Sequence, residues 1–233
     1  MGGWWEWDSF WLGPVTATLS AVSTSRDPDR LVLFTDAVVA IAITLLVLPL
    51  VDLVPEVKAE GGDAVSVIAD HRQEIFTFLL SFVVIANFWL GHHRLFEHVR
   101  AYTSAMMRLN LLWLLTIVVL PFPTEIIGAF DTGRFTAGLY AGTILALSVC
   151  QSAITWMIHG HKELEKPDDP VSQRELNGSL LLTGLTLVAF LLAALVPGVG
   201  FYALLLLLVS PVVMRLWGGR STDQPRTHTD AQQ

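Results

Sequence analysis

Runs of about twenty almost purely apolar residues recur along this chain, and that recurrence leaves few folds open. A helix crossing a hydrocarbon core of roughly 30 Å needs about 20 such residues, and a backbone in lipid must satisfy its own hydrogen bonds. The runs place six helical spans at roughly 31–51, 74–93, 106–127, 136–158, 176–196 and 200–217. Of 233 residues, 53% are hydrophobic and only 15% charged, far from the balance of a soluble domain. The chain therefore reads as an all-α, polytopic membrane protein with six transmembrane helices. Its net charge of −7 argues against a nucleic-acid partner. The single Cys150 lies inside a run, so no intrachain disulfide can form.

The chain divides into three parts. Residues 1–25 hold four Trp with Glu6 and Asp8. No basic residue precedes their apolar part, as a signal peptide would require, and they suit an interfacial belt. Residues 26–217 form the six-helix domain, and the polar tail 218–233, which contains Pro225, is expected to be disordered. Eleven of the fourteen basic residues fall on one side of the spans: Arg26 and Arg30; Arg94, Arg100 and Arg108; Lys162, Lys166 and Arg174; Arg215, Arg220 and Arg226. Lys58, Arg72 and Arg134 fall on the other. The positive-inside rule then puts both termini in the cytoplasm of a multi-pass plasma-membrane protein. The loop between spans 1 and 2 is acidic, with Asp52, Glu56, Glu60, Asp63, Asp70 and Glu74 against Lys58 and Arg72. Such an outer mouth, Asp52 nearest the span, attracts cations, although a solvated loop has the same composition.

The first span, "RLVLFTDAVVAIAITLLVLPL" (30–50), carries an acid inside it. At about 100° per residue, Ile41, Leu45 and Leu48 fall within about 60° of one another, with Thr44 on the flank and Asp52 continuing the line. Asp36 projects about 140° from Ile41, toward other protein rather than along the aliphatic stripe. Pro49 frees the Leu45 carbonyl, which predicts a bend near the outer end. Span 2 ends "NFWLGHHRLF" (87–96), placing Trp89, His92 and His93 at the depth of Arg30 and Asp36, and Asn110 opens span 3 at the same level. A lone acid at mid-membrane costs about 2.5–3.5 kcal/mol. Pairing with Arg30 or an imidazole, plus an indole donor, offsets most of that. Asp36 reads as a structural pin, with a proton-carrying site as the competing reading.

These residues bring a family into view. Arg30, three residues, then Phe34-Thr35-Asp36 and "AVVAIAITLLVL" resemble the signature of the transmembrane protein 175 family of potassium channels. The stretches "SFVVIANFWLGHHRLF" (81–96) and "LNLLWLLTIVVLPFPTEIIG" (109–128) resemble its second and third helices. Thr35 stands where the family usually has Ser, and the hydroxyl is kept. The resemblance, over roughly residues 26–217, implies a homotetramer in the lipid bilayer whose first helices line a central pore for potassium ions, without a filter loop. It also implies that Ile41 forms the narrow ring and that Leu45 and Leu48 form further gate layers. Ile41 and Thr44 would set selectivity, while Arg30, Phe34, Thr35 and Asp36 pack with Trp89 and a following histidine. The implied function is passive potassium conduction with modest selectivity over sodium.

The alternative is a proton-coupled secondary transporter using Asp36 with His92 or His93. No metal constellation or matched nucleophile and base stands in the spans, so no enzyme, cofactor or metal is expected. His92 and His93 are adjacent and cannot act as i, i+4 ligands. His159 and His161 sit in a charged loop and read as solvated. Gly138 and Gly142 have the spacing of a close helix contact, a pattern common by chance.

Overall fold

The computed structural model describes residues 28–130 and 133–196. The Trp-rich segment 1–25, the expected sixth span at 200–217 and the tail 218–233 lie outside the described residues. Within them the chain forms α1 (Pro28–Leu45), α2 (Leu48–Ala59), α3 (Ala64–Asp70), α4 (Arg72–Glu97), α5 (Ser104–Val119), α6 (Pro121–Ala129), α7 (Arg134–Gly160) and α8 (Gln173–Leu195). These make five stretches long and apolar enough to cross a membrane: Pro28–Ala59, Arg72–Glu97, Ser104–Ala129, Arg134–Gly160 and Gln173–Leu195. They cover the first five expected spans, and the fold is an all-α, polytopic membrane bundle.

Pro28 opens α1, where its fixed φ suits the first turn and its missing N–H is no loss. Leu31, Thr35, Val39, Ala42 and Leu46 recur at three or four residues and bury one face. Phe34, Ile41, Leu45 and Leu48, about a third of a turn away, stay exposed. Only 17% of the most apolar window of this first span is buried within the chain, against 56% for α7. The first span is thus the least buried of the five stretches within the described residues.

The bend expected at Pro49 is a full break. Without a Pro49 N–H the Leu45 carbonyl loses its helical donor, and the chain turns at Leu46–Val47, with Val47 N–H reaching back only to the Thr44 carbonyl at 3.4 Å. The third span breaks as well, which taking 106–127 as one run does not anticipate. Leu120 N–H donates to the Ile117 carbonyl at 3.2 Å, and Pro121 starts α6. Both breaks open onto one cavity, lined by Leu45, Leu46 and Pro49 on one side and Pro121 and Thr124 on the other, with Phe78 of α4 at its wall.

The acidic stretch after span 1 is not a loop. Asp52, Glu56 and Lys58 ride on α2, and a turn at Gly61 (φ +82°) leads to α3. Asp63 caps α3 by accepting Ser66 N–H at 2.9 Å and Val65 N–H at 3.1 Å. Those bonds, the Ser66 amide's first, hold the Asp63 carboxyl below the usual carboxylate range.

The centre of the bundle is α7. Gly142 meets Phe190 and Gly138 meets Ala194, so the small-residue pair does mark a close contact with α8. Ser148–Thr186 and Ser152–Thr183 hydroxyl pairs, each at 2.7 Å, hold the same two helices together. On the other side a directed chain of hydroxyls crosses from α7 to the α5–α6 break. Thr124 donates to the Leu120 carbonyl at 2.8 Å, so Ser81 donates to Thr124 at 2.8 Å and buried Tyr140 donates to Ser81 at 3.0 Å. Tyr140→Phe removes only the outermost donor of that chain, and its expected cost is about 1 kcal/mol. Denaturant titration in detergent micelles reads this as a small midpoint shift without loss of fold.

Candidate functional site

Three helices meet around Asp36 at the Arg30 end of the bundle. On α4, Trp89 Nε1 donates to Asp36 Oδ1 at 2.7 Å, and His93 Nδ1 lies 3.9 Å from Oδ2. An N–H donated to a carboxylate is worth about 1.5–3 kcal/mol, comparable with the cost of keeping an acid in a span. His93 also stands 4.0 Å from Glu97, one turn on. His92 turns the other way: its Nε2 donates to Asn110 Oδ1 at 2.6 Å, and Asn110 Nδ2 donates to Thr35 Oγ1 at 3.0 Å. Thr35, His92 and Asn110 are all buried. The junction is therefore a double lock of α1 onto α4 and α5, with Asp36 on one strand and Thr35 on the other.

Of the residues the sequence singles out there, Thr35, Asp36, Trp89, His92, His93 and Asn110 come together. Arg30 does not: it is exposed on the first turn of α1 and makes no ion pair with Asp36 among the described residues. The Trp89 indole is the hydrogen-bond donor to Asp36, with the His93 ring standing 3.9 Å off its other oxygen. Phe34 is also outside the lock, 51% exposed on the opposite face. Sequence alone does not single out Trp113, whose ring stacks on His92 at 4.3 Å while Phe96 covers His92's other side at 4.3 Å. Its place three residues after Asn110 was a usable signal, because i and i+3 share a helix face.

The other face of α1 carries the aliphatic stripe. Ile41 is 61% exposed, Leu45 40% and Leu48 51%. Thr44 is exposed beside them, and its hydroxyl donates to the Ile41 carbonyl at 2.8 Å, three residues back. Asp52 is exposed on α2, beyond the break rather than on a straight continuation of α1. No group of three or more metal-ligating side chains occurs among the described residues. His159 and His161 bond to backbone carbonyls of Val171 and Met157 at 3.1 and 2.9 Å.

Comparison with known proteins bears on this arrangement. The family described as endosomal/lysosomal potassium channel TMEM175 matches residues 30–121, the stretch that holds α1 and the whole junction. A potassium channel of Streptomyces collinus is 30% identical over 154 residues, 64% of this chain and 73% of that one. A potassium channel of Chamaesiphon minutus is 36% identical over 127 residues, 53% of this chain and 62% of that one. The crystal structure of a lysosomal potassium-selective channel TMEM175 homolog from Chamaesiphon minutus superposes with a TM-score of 0.66 at 27% identity, covering 82% of this chain and 97% of that one. The chain is a member of the TMEM175 channel family.

Proposed function

We propose that the chain is one subunit of a homotetrameric cation channel of the plasma membrane, in which four α1 helices surround a common axis. The observation that carries this reading is the face of α1 left without a partner among the described residues, with Ile41, Leu45 and Leu48 exposed on a helix whose other face is locked into the bundle. Ile41 forms the narrowest ring and Leu45 and Leu48 the next layers, a constriction that blocks ions by dewetting until the four helices move apart. Thr44 supplies hydroxyl oxygens beside that ring. Selection among cations then comes from size and partial dehydration, which gives a modest preference for potassium over sodium. The Arg30 end faces the cytoplasm, and Asp52 raises the cation concentration at the outer mouth.

In planar bilayers with asymmetric potassium and sodium, purified protein is expected to pass steady current that reverses on the potassium side of zero. The competing proton-coupled transporter, built on Asp36 with His92 or His93, moves ions only with a proton gradient. Flux that stops when that gradient is collapsed would replace the channel reading.

A further inference from the structure

At the Arg30 end, the α4–α5 connection (98–103) and the α7–α8 connection (161–172) are stitched together. Arg100 N–H donates to the Leu164 carbonyl and Lys166 N–H to the His98 carbonyl, each at 2.8 Å, and Arg100 Nη2 donates to the Glu163 carbonyl at 3.0 Å. His98 stands at the end of α4, its side chain 15% exposed. Its Nδ1 lies 3.0 Å from Asp169 Oδ2 and 3.1 Å from the Asp169 carbonyl. Its Nε2 lies 3.2 Å from Glu175 Oε1. The other oxygen of Glu175 is already committed, accepting Ser172 N–H at 2.7 Å in the capping box that starts α8.

Both ring nitrogens of His98 thus face oxygens that only accept. A neutral imidazole has one N–H and would point a lone pair at one of the two carboxylates, whereas the imidazolium donates from both nitrogens. We propose that His98 is a pH-sensitive latch: with both nitrogens protonated it fastens the 161–172 connection and the start of α8 to the end of α4, and it lets go of one carboxylate when a proton leaves.

The other charged groups at this junction are Glu97 and Arg100 on the His98 side, Glu163, Glu165, Lys166 and Asp168 in the α7–α8 connection, and Arg174 beside Glu175. Ordinary Asp, Glu, Lys and Arg side chains keep one charge between about pH 6 and 8, where an imidazole changes its own. His159 and His161 use backbone carbonyls that a neutral ring can satisfy. His98 is the histidine here whose partners call for the charged form. The latch holds at low pH and loosens as pH rises through the imidazole range. It grips α4, the helix that carries Trp89 and hence Asp36 of α1.

Amide hydrogen exchange on the full chain in nanodiscs tests this without requiring conduction. After correction for intrinsic rates, peptides containing Arg100 and Lys166 are expected to be about tenfold better protected at pH 6 than at pH 8. Glu175→Gln keeps the cap, since Gln serves at that position of a capping box, but presents an amide that no longer requires a charged ring. The pH step should fall below about twofold in E175Q, and His98→Gln should abolish it. Equal protection at both pH values in the wild type, or a full step surviving in both variants, would overturn the latch.

Discussion

Asn110→Leu is expected to destabilise the protein by about 2–4 kcal/mol, although leucine keeps asparagine's branched outline and suits a membrane span. Among the described residues Asn110 bridges His92 and Thr35: it accepts from His92 at 2.6 Å and donates to Thr35 at 3.0 Å. Leucine leaves a buried hydroxyl and a buried ring N–H without partners, each costing about 1–3 kcal/mol. The comparison that isolates the effect is Asn87→Leu on α4, whose amide merely returns to the Val83 carbonyl of its own helix at 2.8 Å. That variant is expected to stay within about 0.5 kcal/mol of the parent. Denaturant titration of both in the same detergent reads the difference. Equal midpoints would mean that α1 is held by apolar packing alone and that the lock at Thr35 is incidental.

Ile41→Asn is expected to raise sodium conductance relative to potassium by about tenfold, the equivalent of about 1.4 kcal/mol of barrier. In the proposed tetramer one substitution places four amides at a single level, wetting a ring that was aliphatic and supplying ligands to any cation that sheds water. The cost to folding is small because Ile41 is 61% exposed and its removal leaves no cavity in the bundle. Leu180→Asn on α8 is the control, since it puts the same polar group at a site 52% exposed on another span. Bilayer recordings in which both variants behave alike would take Ile41 out of the conduction path.

How much of this was legible in advance varies from element to element for physical reasons. The first five spans were readable because a long apolar run in lipid reads as a helix. The direction of Asp36 was readable because α1 is regular between Pro28 and Leu45, so counting about 100° per residue carries an angle reliably over one or two turns. Beyond Pro49 the count no longer runs along one regular ladder, because two residues leave it at Leu46–Val47, and Asp52 sits on a separate helix. α2 itself was misread from its charges. Leu50, Leu53, Val54 and Val57 keep a helical apolar spacing through Asp52, Glu56 and Lys58, and that pattern outweighs composition. Pro121 and Pro123 carried the same message as Pro49 and were passed over because the apolar run continues through them.

Inside the site, sequence named Thr35, Asp36, Trp89, His92, His93 and Asn110 but not their pairing, and it counted in Arg30 and Phe34 while missing Trp113. His92 and His93 are about 100° apart on α4, so one had to face Asn110 and the other Asp36, and only the rotation of α4 decides which. The His98 junction was out of reach altogether, since it joins residues 98, 169 and 175 across two connections with no shared periodicity.

The paired interruptions at Leu46–Val47 and Leu120 divide the described helices into two levels. Below them, continuous hydrogen-bond ladders and the Asn110 lock make a stiff chassis. Above them, α6 is held to α4 and α7 by the Tyr140–Ser81–Thr124 chain, whereas α2 buries only Val57, so a tilt of α2 can be absorbed at Leu46–Val47 without drawing Asp36 from Trp89.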